Sequence, residues 1–256
     1  MSSTKIPRHI WTYWNEAQVP EIVNKCIETW RKNNPDYEIT VITRDTIKDY
    51  ITDPDILSLR FAQTPQQIAD LVRAHVLAKY GGIWCDASII MNKSLEDILD
   101  DSYDFIGYIM DDRTPNPDLP YLENWFFACK PNTPFINKWR DEYTSINNYE
   151  RIEDYIEKVN EKNIDLRRID GPTYLTMHVA AKVVMNDMTD EEKKTQIKTY
   201  SADKGPFKFM FDNEWDSEKG VKSLCNIKDH PVFHKLRGNE RSVLVNSPEV
   251  QKCMFT

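Results

Sequence analysis

Asp86 and Ser88 are separated by one residue in the run Gly81-Gly82-Ile83-Trp84-Cys85-Asp86-Ala87-Ser88. Alternate side chains of an extended chain share a face, so this carboxylate and hydroxyl can point the same way. Such a pair can hold a divalent cation, and the cation can hold a diphosphate. The tripeptide also fits a residue that only opens a turn, because D-x-S is common by chance. Asp70 and Arg73 are three residues apart, which puts them on one face of a helix. They can serve a ligand, or form an ordinary exposed ion pair worth about 0.3–0.5 kcal/mol. Trp11, Tyr13 and Trp14 cluster earlier in the chain. An aromatic ring there can stack on a nucleobase, worth about 1–3 kcal/mol per base, or lie in the core, the commoner fate of tryptophan.

The elements that must position these groups follow from periodicity and punctuation. Ile6 to Trp11 predicts a first strand. Pro20 opens a helix whose apolar residues Ile22, Val23, Cys26, Ile27 and Trp30 keep helical spacing, until Asn33-Asn34-Pro35 stops it. Tyr37 to Thr43 alternates and is β-branched, which predicts a second strand. In the next helix Thr64 is the N-cap, Pro65 takes the first helical position and Gln67 completes a capping box. Its stripe is Ile68, Leu71, Val72 and Val76, and Gly81-Gly82 ends it. Ile83 to Cys85 follows as a strand, which sets Asp86 just beyond a strand's carboxyl end, where open α/β sheets bind ligands. Ser88 to Met91, Phe105 to Met110 and Trp125 to Cys129 read as extended, 112–120 as a loop, and Pro134 to Tyr143 and Pro172 to Met185 as helices. Beyond Tyr200 the patterning is weak. Strand–helix alternation followed by a more helical half predicts an α/β fold with a mostly parallel central sheet flanked by helices.

Composition narrows the function classes. The 256 residues, 40% of them hydrophobic, suffice for one sizeable core. A formal net charge of −8 disfavours nucleic-acid backbones, although a local basic pocket for a diphosphate is compatible with it. No stretch approaches the roughly 20 apolar residues of a transmembrane helix. The start, Met1 to Pro7, shows no apolar leader region. Cys26, Cys85, Cys129, Cys225 and Cys253 are far apart and form no C-x-x-C pair, which argues against a thiolate zinc site and fits a reducing cytoplasm, the host's if the source is viral.

Ile6-Pro7-Arg8-His9-Ile10-Trp11, Ala69-Asp70-Leu71-Val72-Arg73 and Tyr80-Gly81-Gly82-Ile83-Trp84-Cys85-Asp86-Ala87-Ser88 resemble the DXD-type sugar-binding glycosyltransferases. That group includes the family 32 enzymes, the capsular-polysaccharide-synthesis glycosyltransferases and, remotely, the clostridial glucosylating toxins. The order and gaps match, including sixteen residues from Asp70 to Asp86, and the likeness covers about residues 5–130. It continues more loosely through Glu123-Asn124-Trp125-Phe126-Phe127 and Gly171-Pro172 to His234-Lys235-Leu236. The resemblance implies a GT-A-type, Rossmann-like single domain over 1–256, with a nucleotide-sugar-binding half (1–130) and an acceptor half (131–256). It implies a nucleotide-sugar donor, with UDP-sugars foremost, a glycan or other hydroxyl acceptor, and a monomer or weak oligomer.

Residue by residue, the resemblance implies that Trp11 stacks on the base with Tyr13 nearby, and that Asp70 and Arg73 bind the donor sugar and diphosphate. Trp84 and Ala87 would line the donor pocket, Asn124 would touch the sugar, and Lys235 would approach the diphosphate. The metal would be held by Asp86, Ser88 and His234. Where the family pattern ends D-x-D, this chain has Ser88, a weaker uncharged ligand. Metal binding would then be looser, or Ser88 would act through a water, or His234, which also fits a surface loop, would supply a direct ligand, an imidazole favouring Mn²⁺ over Mg²⁺. An inverting reaction would need a carboxylate base, for which Asp111, Asp112 and Glu123 are candidates, with Asp112 foremost; a retaining one would not. Two other readings compete. A sugar-nucleotide pyrophosphorylase would carry a Gly-rich N-terminal loop, and this chain has no glycine before Gly81. An inactive nucleotide-sugar or glycan-binding module would tolerate the D-x-S departure.

Overall fold

The computed structural model describes residues 5–255; residues 1–4, part of the segment read as lacking a leader, lie outside the described residues. Eight strands occur in chain order: β1 (His9–Trp14), β2 (Glu38–Thr43), β3 (Gly82–Cys85), β4 (Ile89–Met91), β5 (Phe105–Ile109), β6 (Leu122–Cys129), β7 (Ile197–Ser201) and β8 (Phe233–Lys235). Six form one sheet in the order β2-β1-β3-β6-β5-β7, and β4 pairs with β8 in a separate ribbon. β6 runs antiparallel to both its neighbours, while the pairs β1–β2, β1–β3 and β5–β7 are parallel. This is the α/β arrangement expected: a mostly parallel central sheet with helices packed against it.

The helix Pro65–Tyr80 delivers the site. Thr64 and Gln67 form the reciprocal capping box, and Pro65 stands in its first turn. The helix is buried along Asp70–Ala74 and again at Val76–Ala78, wider than the predicted stripe, because it packs against the sheet on one side and the helix Pro134–Ser145 on the other. Its polar members Asp70 and Arg73 are therefore inside the protein. Gly81 and Gly82 then reverse the chain at φ 65° and 98°. A Cβ at Gly82 would meet the His9 carbonyl oxygen at 2.6 Å, so only glycine lets β3 enter this close to β1.

Three boundaries differ from the sequence reading. β1 ends at Trp14 rather than Trp11, because residues 9–14 all find parallel partners on β2. β6 begins at Leu122, three residues early. The helix expected from Pro172 begins at Thr176. Beyond Tyr200, β8 is three residues long, too short for periodicity to reveal. It is held in place by its partner: Ile89 faces Lys235, Ile90 faces His234 and Met91 faces Phe233.

Candidate functional site

A cavity of about 520 Å³ opens at the carboxyl ends of β1 and β3. It gathers Tyr13, Asp70, Arg73, Trp84, Asp86, Ala87, Ser88, Asn124 and Lys235, nine of the predicted positions, around one cavity. Four guanidinium or ammonium groups (Arg73, Lys235, Arg237, Arg241) line it against three carboxylates (Glu16, Asp70, Asp86). In a chain of net charge −8 this pocket is locally balanced, with Arg237 held by the buried Glu240.

Asp86 is the hub. Its Oδ2 accepts from the Lys235 ammonium at 2.7 Å. Its Oδ1 accepts from the Trp84 indole N–H at 3.0 Å and lies 3.3 Å from Arg73 Nη2. Burial would raise this carboxyl, but Lys235 and Arg73 outweigh it and hold the group below its ordinary value. Asp70 is the opposite case. It accepts from Asn124 Nδ2 at 2.9 Å and lies 3.4 Å from Arg73 Nη2. Burial nevertheless dominates and pushes its carboxyl up to about 6. Arg73 bridges the two acids, donates to the Asn124 carbonyl, and places its guanidinium 4.9 Å from the Trp84 ring. Asp70 and Arg73 are thus no exposed surface pair: their side chains are 11% and 6% accessible.

Ser88 is buried, and its hydroxyl donates to the Leu236 carbonyl at 2.7 Å, fastening the segment that carries Lys235. Tyr13 donates its hydroxyl to Asn15, and burial raises its phenol. Trp14 lines the cavity with Arg241 5.5 Å from its ring.

Three expectations are corrected. Trp11 does not reach the cavity. With β1 extended to Trp14, Trp11 falls mid-strand, stacks on His9 with ring centroids 3.6 Å apart, and donates its indole N–H to the Gly81 carbonyl. It braces the glycine turn, and the rings at the strand end are Tyr13 and Trp14. His234 also turns away. Consecutive residues of β8 face opposite ways, so with Lys235 toward Asp86, His234 points into the protein. There its Nε2 meets His230 Nδ1 at 2.8 Å, and burial, with His230 beside it, lowers it to about 3. Asp112 is exposed on the loop after β5, its amide donating to Asp203, and does not line the cavity; Asp111 is paired with Lys204 and Ser201. Of the three acids considered as bases, only Glu123 is buried near the site, 3.5 Å from His178.

His178 and Arg241 escaped the sequence reading. His178 lines the cavity from the first turn of the helix Thr176–Asn186, and its Nδ1 has no hydrogen-bond partner. No motif flags it; the only cue was its place shortly after Gly171-Pro172.

Glycosyltransferases of the resembled type generally use a divalent cation, so the donor set was compared with that need. Among the described residues no three His, Cys, Asp or Glu side chains converge as a metal site. Asp86 stands between two cations, Ser88 is committed to Leu236, and His234 faces elsewhere. The set does not fit the cation, and the Mn²⁺ preference, which depended on His234, loses its basis.

An α/β sheet with a mixed acid–base pocket beyond its strand ends has the arrangement in which such folds bind small molecules. The chain belongs to the capsular polysaccharide synthesis protein family, whose model matches residues 1–240. The resemblance read from the sequence is thus shown at the level of the family. Among curated proteins it is similar to the O-glycosyltransferase braB of Annulohypoxylon truncatum, 26% identical over 54% of this chain and 37% of that protein. It is also similar to inositol phosphoceramide mannosyltransferase 3 of Schizosaccharomyces pombe, 32% identical over 38% of this chain and 28% of that one. The matches therefore span about a third of these relatives' length. Among solved structures, the galactosyltransferase LgtC with donor and acceptor sugar analogs aligns over 97% of this chain and 96% of its own, at 9% identity and TM-score 0.47. The UDP-bound glycosyltransferase domain of the YGT toxin aligns over 95% and 89%, at 11% and 0.47. No helix among the described residues is long and apolar enough to cross a membrane.

Proposed function

We propose that this protein is a glycosyltransferase that moves a sugar from a nucleoside-diphosphate sugar to a hydroxyl of a glycan or other acceptor. The observation that carries the reading is the buried Lys235–Asp86–Arg73–Asp70 chain of charges in the family's motif positions at the strand ends. In such a transfer the acceptor oxygen bonds to the anomeric carbon as the bond to the diphosphate oxygen breaks. The diphosphate leaves with the electron pair, and the hydroxyl proton passes to solvent. The transition state has oxocarbenium character, and negative charge grows on the leaving group. Preorganised cations at that oxygen stabilise it most; Lys235 and Arg73, which line the cavity, supply them here.

The remaining roles follow from position. Asp70 and Asn124, hydrogen-bonded to each other, present acceptors and donors to the sugar hydroxyls. Tyr13 and Trp14 flank the nucleobase, with UDP the favoured nucleotide. Residues 1–130 carry most of the donor site and 131–256 the acceptor side, although Lys235 and Arg237 return to the donor from the second half. Two relatives being mannosyltransferases, a mannosyl donor belongs beside the UDP-sugars in any screen. The test is release of nucleoside diphosphate from a panel of UDP- and GDP-sugars by the purified protein, with and without polysaccharide acceptors. Release from at least one donor is expected. Binding without release from any donor would leave an inactive nucleotide-sugar-binding module instead.

A further inference from the structure

We infer that Lys235 takes the place of the divalent cation at Asp86, so that donor binding and departure of the diphosphate need no metal. The inference rests on the glycosyltransferase reading above and concerns what neutralises the diphosphate in that same pocket.

The Lys235 ammonium is 2.7 Å from Asp86 Oδ2, its side chain only 9% accessible, in the cavity wall. A cation held by this carboxylate would have to compete with that ammonium. The other oxygen is taken by the Trp84 N–H and faces Arg73. A divalent ion entering here would have to expel one fixed positive charge and stand beside a second.

Lys235 is not a surface side chain that happened to fold inward. Its strand is pinned to β4 by the pairing of Ile89 with Lys235, its own amide donates to the Pro206 carbonyl, and the Leu236 amide donates to the Ser88 carbonyl. The fourth tie is the Ser88 hydroxyl donating to the Leu236 carbonyl. This gives the D-x-S departure a cause. An aspartate at 88 would set a carboxylate with no proton against a carbonyl oxygen and loosen the strand that holds the lysine. The hydroxyl at 88 and the fixed ammonium at 235 therefore belong to one structural unit. Asp70 and Asp86 are matched by Arg73 and Lys235, and Arg237 is held by the buried Glu240, so the cations already in place offset the acids around the site. An ammonium with three donors binds phosphate oxygens as a point charge, as a cation does.

Calorimetric titration of UDP and of GDP into the wild-type protein, once in EDTA and once in Mn²⁺, decides the matter, with donor turnover measured under both conditions. The nucleotide that binds is expected to do so with the same affinity in EDTA, and turnover to persist there. Lys235→Ala, checked for a native melting profile, is expected to weaken binding in EDTA by roughly ten- to hundredfold, the loss of one charge-assisted contact. Binding and turnover that appear only with Mn²⁺ would overturn the inference and leave the glycosyltransferase reading standing. An absence of binding and turnover in both conditions would remove that reading and this inference with it.

Discussion

Asp70→Asn separates a functional carboxylate from a structural ion pair. Burial raises the Asp70 carboxyl from 3.8 to about 6 despite Arg73 at 3.4 Å. The folded-state value lies above the unfolded one, so between these values the unfolded chain releases its proton first. Stability then falls as pH rises from about 4 to 6 and stays lower above that. At about 1.36 kcal/mol for each pH unit, the ionised acid costs the fold about 3 kcal/mol at neutral pH. Asparagine mimics the protonated acid and keeps an oxygen for the Asn124 amide, so Asp70→Asn should be more stable than wild type at pH 7.5. The gain, roughly 6–12 °C in melting temperature for a chain of this size, should shrink to nothing by about pH 4. The same variant should lose donor turnover, and the wild-type pH–activity profile should fall on its acid side near 6. Differential scanning calorimetry from pH 4 to 8, with turnover on the same samples, checks both. A variant less stable than wild type at neutral pH, with activity intact, would show that Asp70 is a stabilising partner of Arg73 and refute the reasoning.

Other outcomes follow from the same geometry. Trp11→Ala should destabilise by about 3–5 kcal/mol, as for a large buried aromatic, while nucleotide affinity of the folded protein is unchanged. Trp14→Ala should instead weaken nucleotide binding by about 1–3 kcal/mol, the worth of one base stack, which titration of both variants would reveal; the reverse pattern would restore Trp11 to the site. His234→Gln should leave nucleotide affinity and its response to Mn²⁺ unaltered, since the ring faces His230; loss of a Mn²⁺ response in the variant would return it to the ligand set.

Local chemistry made much of this site legible. The capping box at Thr64 and Gln67 and the glycine turn at 81–82 are short-range signals, and they fixed the frame that carries Asp70, Arg73 and Asp86. What depends on pairing between distant segments was not legible. Strand β1 runs on to Trp14 because β2 offers partners there, and that shift of three residues moved Trp11 from the strand end into the core. The exchange between His234 and Lys235 turns on one residue of register in a three-residue strand whose partner is over a hundred residues away. Ser88 was read as a weakened ligand because its bond to Leu236 exists only once that ribbon has formed.

The central claim is that the charges around Asp86 turn over a nucleotide-sugar. Single-turnover release of nucleoside diphosphate by Asp86→Asn, beside wild type and with melting curves for both, tests it most directly. Asparagine keeps the acceptor for the Trp84 N–H but leaves Lys235 and Arg73 without the carboxylate that orients them. Release slowed by roughly a hundredfold or more is expected, the scale of removing one preorganised electrostatic group, in a protein that still melts cooperatively. Release at the wild-type rate from a folded Asp86→Asn protein would contradict it.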